Sequence, residues 1–270
     1  MPERRTVLVS PRSERVRSVA ALGRRAARQR SERFLVEGPH AVRELLSYAA
    51  AHVVDVYVTP QGARTHSDIL ELAREARAGV YECAEEIMAF MADAQHPQGV
   101  LAVARRIDVS LAQALAQVGD GFAVVLSNVR DPGNAGTVIR AADAFGAAAV
   151  VITDASVDLH NPKVIRSTVG SAFHVPIATG SSVTEAITAC RQAGLRVYAA
   201  DGGSSLVLPD VDLSGPHAWV LGNEAWGLPS QIREQCDDVV AVPIVGHAES
   251  LNLAMAATVC LHTSSLGRPR

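Results

Sequence analysis

Six short segments in the second half of the chain are almost entirely apolar, and they constrain the fold more than any other feature. FAVVLS begins at Phe122, AAVVIT, HVPIA, LRVYAA and AWVLG follow it, and DVVAVPI begins at Asp238. Strands that are apolar on both faces are typical of a parallel sheet that helices cover on each side. The segments between them have helical spacing, so the sequence predicts an α/β domain with a parallel sheet over residues 121–270.

The first part of the chain predicts a second, smaller α/β domain over residues 1–107. RFLVEG and HVVDVYV have the composition of strands, and they alternate with helical patterns until GVLAVARRI. DVSLAQALAQVGDG, which follows, is predicted to be a linker or a linking helix over residues 108–120. SERVRSVAALGRRAARQRSE predicts one basic amphipathic helix with Ser13 as its N-cap.

Charge is distributed unevenly along the chain. The formal net charge is −3, yet residues 1–40 carry ten arginines and four glutamates, a local charge of +6. Such asymmetry is typical of a segment that meets the phosphates of a nucleic acid. A solvated helix face that only improves solubility is the alternative interpretation.

The four cysteines and the hydropathy pattern bear on the type of protein. The cysteines lie far apart without CxxC or Cys/His spacing, so neither a zinc site nor a disulfide framework is predicted. No apolar run approaches the ~20 residues that a membrane-spanning helix needs. We therefore expect reduced core thiols, no metal, no membrane and a cytoplasmic protein.

The stretch NVRDPGNAGTVIRAADAFGA stands where the first apolar strand ends. Pro132 fixes its own φ, Gly133 permits a positive φ, and Asn134 can cap the helix that follows. Arg140 lies six positions further on, with a side chain long enough to return toward the same end. A simple helix cap for Asn134 and a surface arginine for Arg140 are the alternatives.

Two later strands end in a similar way. VLGNEAWGLP carries Gly222, Asn223, Glu224 and Gly227, and VPIVGHAESLNLAMAA carries Ser250 to Asn252 at the start of the last helix. Ligands of open parallel sheets bind beyond the carboxyl ends of the strands. Three strand ends with small polar groups beside glycine therefore predict one shared pocket.

Together these three segments resemble the motifs of the SpoU (TrmH-like) branch of the SPOUT RNA 2'-O-ribose methyltransferases. NPKVIRSTVGSAFHVPI is similar to the segment that follows the first motif, and RFLVEGPHAVRELL resembles the start of the substrate-binding domain of rRNA-modifying members. The resemblance implies a C-terminal domain with a deep trefoil knot, S-adenosyl-L-methionine as cofactor, an RNA substrate and a homodimer.

The resemblance also implies a role for individual residues. Arg140 matches the catalytic arginine; because a guanidinium stays protonated, we expect it to bind a phosphate and stabilise the developing alkoxide, while a phosphate oxygen or water takes the proton. Glu224 is the alternative base. The predicted catalytic set is Arg140, Asn134, Glu224, Ser250 and Asn252. The predicted cofactor-binding set is Leu221, Gly222, Asn223, Gly227, Ile244, Leu253, Ala200 and Asp201. The arginine-rich start of the chain supplies the predicted RNA-binding set: Arg12, Arg24, Arg25, Arg28 and Arg30.

The predicted activity is methylation of RNA, and most simply of large-subunit (23S) rRNA. The additional N-terminal domain favours rRNA, because tRNA-type members of the family usually begin close to the knotted domain. A tRNA substrate and a non-catalytic RNA-binding or ribosome-assembly role are the alternatives. A Rossmann dehydrogenase is disfavoured, because the first strand-end loop lacks the GxGxxG pattern.

Overall fold

The computed structural model describes residues 7–267, which form two compact units. Up to residue 105 the elements are α1 (Glu14–Ala21), α2 (Arg25–Ser31), β1 (Arg33–Glu37), α3 (Pro39–Tyr48), β2 (Val53–Val58), α4 (Pro60–Thr65), α5 (Ser67–Glu75), β3 (Gly79–Glu82), α6 (Glu85–Met91) and β4 (Val100–Arg105). Beyond it they are α7 (Leu111–Leu115), β5 (Phe122–Leu126), α8 (Pro132–Ala144), β6 (Ala149–Ile152), α9 (Pro162–Thr168), β7 (Ile177–Thr179), α10 (Val183–Gln192), β8 (Arg196–Ala200), β9 (His217–Leu221), α11 (Ser230–Arg233), β10 (Asp238–Val240) and α12 (Leu253–Leu266).

The first unit contains the residues up to 107 together with residues 160–173. Its sheet has the order β1-β4-β2-β3, in which β4 is antiparallel to both neighbours and β2 is parallel to β3. The prediction of a small α/β arrangement here is confirmed. Helix α4 and strand β3 were not predicted, because PQGART and GVYE are too short to show a period.

The prediction of one long N-terminal helix is wrong. The chain leaves the helical path between α1 and α2, around Gly23. The guanidinium of Arg28 stabilises this break, since it donates to the carbonyls of Leu22 and Gly23, each at 2.9 Å. Ser13 does occupy the N-cap position of α1, but its side chain makes no capping hydrogen bond.

The second unit contains residues 108–159 and those from 174 onward. Its six strands are all parallel, in the order β10-β8-β9-β5-β6-β7, and every strand predicted from the apolar segments is present. Along β5, Ala123 and Val125 join the core that α7 and α10 cover. Phe122 stacks on His217, which is bonded to Ser264 of α12, so the other face of the sheet meets α12.

Two segments lie elsewhere than the predicted domain boundaries suggest. Residues 108–120, predicted as a linker or a linking helix, include α7, and Ala114, Leu115 and Val118 are buried in the core of the second unit. Helix α9 groups with the first unit, where Arg166 donates to Glu37 at 2.9 Å and to Asp93 at 2.8 Å. The division into functional domains over residues 1–107 and 121–270 stays a prediction.

Candidate active site

The carboxyl ends of β8, β9 and β10 line a cavity of about 220 Å³ in the second unit. Strands β5, β8 and β9 are in register, so their last residues meet at one edge of the sheet. All residues of the predicted cofactor-binding set line this cavity: Leu221, Gly222, Asn223, Gly227, Ile244, Leu253, Ala200 and Asp201. Two of the three predicted strand ends, those that carry Gly222 and Ser250, share this cavity, whereas no residue of the loop after β5 lines it. The contacts of the lining residues with a cofactor stay a prediction.

A tight turn after β9 forms one wall of the cavity. The backbone N–H of Asn223 donates to the carbonyl of Gly227 at 2.9 Å, and the N–H of Gly227 returns a bond of 3.0 Å. Gly227 has φ +64°, which suits glycine. A Cβ at Gly222 would overlap the backbone of Gly227 and Leu228. Gly222 is therefore required by the turn itself, as well as by the cavity.

The N-terminus of α8 differs in detail from the prediction. Asp131 is the N-cap, since its carboxylate accepts from the backbone N–H of Asn134 at 2.7 Å, so the prediction that Asn134 caps the helix is wrong. The positive φ of this loop lies at Asn128 (58°), and not at Gly133. Asp131 takes the cap because Pro132 sets the first helical residue directly behind it.

Asn134 is instead the central member of a hydrogen-bonded chain that joins three loops. The side-chain amide of Asn252 donates to the Asn134 oxygen at 3.1 Å, and the Asn134 amide donates to Glu224 at 3.3 Å. The oxygen of Asn252 accepts from the first backbone N–H groups of α12, which fixes the direction of both amides. Asn134, Glu224 and Asn252, predicted from separate motifs, are thus brought together.

Glu224 is held as a carboxylate by this arrangement. Partial burial alone would raise its pKa, but hydrogen bonds from its own backbone N–H, from the N–H of Asp131 (3.0 Å), from Asn134 and from the N–H of Arg130 (3.3 Å) outweigh burial and lower the pKa. A carboxylate with a lowered pKa and several donors is a weak proton acceptor near neutral pH. This favours an orienting role over that of a base.

The remaining members of the predicted catalytic set lie apart from this chain of bonds. Ser250 lines the cavity on the exposed segment before α12. Arg140 is exposed on α8 and does not line the cavity. The side chain of Arg140 has no hydrogen-bond or ion-pair partner among residues 7–267. Within one chain, therefore, the structure does not bring Arg140 to the cavity.

The arginines of the predicted RNA-binding set divide into two groups. Arg12, Arg24, Arg25 and Arg30 are exposed. Arg28 is only 5% exposed and bonded to the α1–α2 break, so we withdraw it from the set and assign it a structural role. Arg4 and Arg5, which belong to the basic segment, lie outside the described residues.

Three further observations concern membrane spans, metal ligands and the cysteines. No helix between residues 7 and 267 is long and apolar enough to cross a membrane. That same stretch holds no cluster of three histidine, cysteine or acidic side chains suited to a metal ion. All four cysteines are free thiols in buried positions, and burial raises the pKa of Cys83, Cys190 and Cys260 to about 12.

Sequence reasoning missed several residues that shape the site. Asp131 and Asn128 hold the first loop, and Arg233 of α11 forms an ion pair of 3.2 Å with Asp201 at the rim of the cavity. The Asp-Pro pair was a readable capping signal for Asp131. The Arg233–Asp201 pair spans 32 positions and leaves no local pattern.

Comparisons with known proteins agree with this geometry. Residues 121–262, more than half of the chain, match the model of the SpoU rRNA Methylase family, and residues 13–102 match the MRM3-like substrate binding domain. The chain is 30% identical to the 23S rRNA (guanosine(2553)-2'-O)-methyltransferase RlmP of Bacillus subtilis, over 94% of this chain and 96% of that protein. It is 32% identical to the 23S rRNA (guanosine-2'-O-)-methyltransferase RlmB of Bordetella pertussis, over 85% of this chain and 96% of that protein.

Solved structures show the same architecture. An rRNA methyltransferase from Sinorhizobium meliloti superposes with a TM-score of 0.84 at 25% identity, covering 96% of both chains. The SpoU methyltransferase AviRb from Streptomyces viridochromogenes, in complex with the cofactor AdoMet, gives 0.81 at 29% identity over 94% of this chain and 98% of that one. The fold class is thus that of SPOUT methyltransferases, and the chain belongs to the SpoU rRNA methylase family.

Proposed function

We propose that this protein transfers the methyl group of S-adenosylmethionine to a ribose 2'-hydroxyl of 23S rRNA. The observation that carries the proposal is the single cavity at the carboxyl edge of the parallel sheet, bordered by the bonds that link Asn252, Asn134 and Glu224. Relatives that are similar over most of the chain are named as 23S rRNA guanosine 2'-O-methyltransferases.

The lining of the cavity fits S-adenosylmethionine chemically. Leu221, Ile244 and Leu253 offer apolar surface for an adenine ring, and Asp201 and Glu249 place carboxylates at the cavity. The cofactor carries a sulfonium and an ammonium group, so acidic groups complement its charge. When bound, it supplies an electrophilic methyl group.

The protein's own residues position the reacting ribose and stabilise charge. We assign to Asn134, Glu224 and Asn252 the alignment of the three loops, and to Ser250 a contact at the cavity. Arg140 binds phosphate and stabilises the oxyanion that develops on the ribose, since its guanidinium keeps its proton. The proton passes to a phosphate oxygen or to water, because the lowered pKa of Glu224 makes that carboxylate a poor acceptor.

A homodimer completes the site in this proposal. Arg140 is exposed and away from the cavity of its own chain. Helix α12 exposes an apolar stripe that begins just before it: Leu251 is 40% exposed, Met255 59%, Val259 38% and Leu266 64%. These residues recur at helical spacing, so they share one face, and an apolar face of this kind is typical of an interface. A second copy on this stripe would supply the partner's α8 and its arginine.

We further propose an RNA-binding surface, a knotted C-terminal segment and a cytoplasmic location. The exposed Arg12, Arg24, Arg25 and Arg30 supply a surface for rRNA phosphates, and the C-terminal segment closes a trefoil knot. We place the protein in the cytoplasm, in keeping with the rRNA substrates of its relatives and its four free thiols.

The test is ribose-methylation mapping of 23S rRNA from cells with and without the gene, combined with methyl transfer from labelled S-adenosylmethionine to the unmodified rRNA. We expect one 2'-O-methyl group to disappear in the deletion strain and to be restored by the purified protein. Methyl transfer to tRNA alone, or none to any RNA, would refute the proposal.

A further inference from the structure

Arg130 is a cation beside the candidate site, where its backbone N–H donates to Glu224, and the proposed reaction assigns its side chain no role. It is exposed, two residues before the helix α8. Its Nε donates to the side-chain oxygen of Asn128 at 3.1 Å. Its two terminal NH₂ groups bind no other residue in the 7–267 range, so the outer edge of the guanidinium is open to a ligand.

The acceptor that holds Arg130 is itself fixed in an uncommon backbone conformation. Asn128 has φ 58°, in the left-handed region. Its backbone N–H donates to the Thr153 hydroxyl at 3.3 Å, and its carbonyl accepts from the Asn223 side chain at 2.8 Å. The backbone of Asn128 is therefore held on both sides, and its side-chain oxygen accepts the Nε–H of Arg130 from this position.

The charges around Arg130 indicate which ligand the guanidinium serves. Its backbone N–H donates to Glu224, and the next residue is the N-cap Asp131, so two carboxylates border this loop. A phosphate that approaches the N-terminus of α8 would be repelled by both. A guanidinium neutralises one of these charges and binds a phosphate through two parallel hydrogen bonds.

We propose that Arg130 grips an RNA phosphate beside the target ribose, and that Asn128 is the positioning residue that aims it. This inference rests on the proposed function, because it requires an RNA substrate at this edge of the sheet. Arg130 and Arg140 then hold separate phosphates, and the phosphate at Arg130 sets the register of the strand in the site.

The experiment measures binding of the full-length protein to an unmodified 23S rRNA transcript at several salt concentrations, together with kcat and KM for methyl transfer. We expect Arg130→Gln to weaken RNA binding about ten- to hundredfold, since it removes a charge-assisted contact. The slope of log affinity against log salt should fall by about 0.7 to 0.9. The Kd for S-adenosylmethionine and the melting temperature should not change.

Asn128→Gly tests the positioning role, because glycine accepts the positive φ and keeps both backbone hydrogen bonds. We expect RNA affinity to fall several-fold with little change of slope, and the substitution to have no further effect in the Arg130→Gln background. Arg196→Gln is the matched control. Arg196 is the first residue of β8, so it lies at the amino ends of the parallel strands and not at their carboxyl ends, and it pairs with Asp238 at 2.7 Å.

The outcomes separate the two proposals. A wild-type protein that methylates the transcript, beside an Arg130→Gln variant with unchanged salt slope and KM, would overturn the role of Arg130 and leave the proposed function intact. A wild-type protein that binds the transcript but methylates no RNA would refute the proposed function, while the salt slopes would still decide whether Arg130 contacts phosphate.

Discussion

Asn134→Asp tests the hydrogen-bonded chain at the site with almost no change of shape. In the wild type, the Asn134 amide donates to the Glu224 carboxylate at 3.3 Å. The substitution replaces the donor with a carboxylate oxygen, so a favourable bond becomes a contact between two like charges. The bond from Asn252 survives, because that bond ends on the other oxygen of residue 134.

The size of the effect follows from this geometry. At a charge separation near 3.3 Å, the repulsion is about 1.3 kcal/mol in water and about 5 kcal/mol at an effective dielectric constant of 20. Because Glu224 is exposed, the lower part of this range applies. Loss of a hydrogen bond to a charged group adds about 1.5 kcal/mol. A total near 3 kcal/mol corresponds to at most about a hundredfold fall in kcat.

The pH dependence gives the sharper test. The pKa of Glu224 is lowered in the wild type, so the stability from its bonds is present above the unfolded pKa and is lost only as pH falls through the lowered value. In Asn134→Asp, repulsion raises the pKa of the coupled pair, and one proton shared between the carboxyls restores a bond at low pH. The activity relative to wild type should therefore rise as the pH is lowered from 8 toward about 5.

Asn134→Ala is the matched control, because it removes the same bond and adds no charge. We expect a fall of about tenfold in kcat with a pH-independent ratio to wild type. Neither variant should change the Kd for S-adenosylmethionine, since Asn134 does not line the cavity. Equal pH profiles for the aspartate and alanine variants would refute the direct coupling of Asn134 to Glu224.

Three further predictions concern other parts of the site. Arg140→Lys keeps the charge but loses the planar fork, so kcat should fall steeply at unchanged cofactor Kd; near-normal kcat would make Arg140 a surface residue. Gly222→Ala should lower the melting temperature and abolish cofactor binding. Gly215→Ala should do neither, because a Cβ there would meet no atom within 4 Å. A calorimetric titration in which Gly222→Ala binds S-adenosylmethionine with normal affinity would contradict this. Met255→Glu should yield monomers in sedimentation experiments, whereas Tyr48→Glu, which also changes an exposed residue, should remain a dimer. Dimers of both variants would place the interface elsewhere.

The parallel sheet could be predicted because its signal is local. Strands β5, β6 and β9 are runs of residues that are buried without exception, such as Phe122–Leu126 in β5. The cavity beyond β8, β9 and β10 followed from the rule that ligands of open parallel sheets bind beyond the carboxyl ends of the strands, although the loop after β5 does not line it. The knot is different, since it is a property of how the chain threads, and no residue pattern encodes it apart from the family resemblance.

The errors have a common physical origin, which is that a single side-chain hydrogen bond or ion pair leaves no periodic trace in the sequence. The α1–α2 break depends on Arg28 reaching back to Leu22 and Gly23, and a count of charges cannot distinguish that arginine from its exposed neighbours. Helix α9 groups with the first unit through Arg166, which neutralises the buried Glu37 across 129 positions.

A buried carboxylate such as Glu37, whose side chain is only 6% exposed, requires a partner wherever the chain provides one. Two backbone N–H groups, of Asp93 and Ala94, and the guanidinium of Arg166 meet this need together. The segment 160–173 therefore stabilises the first unit although it lies, in sequence, between two strands of the second. Covalent order and folding unit diverge here because α9 buries Val164 and Ile165 and also brings Arg166 to Glu37.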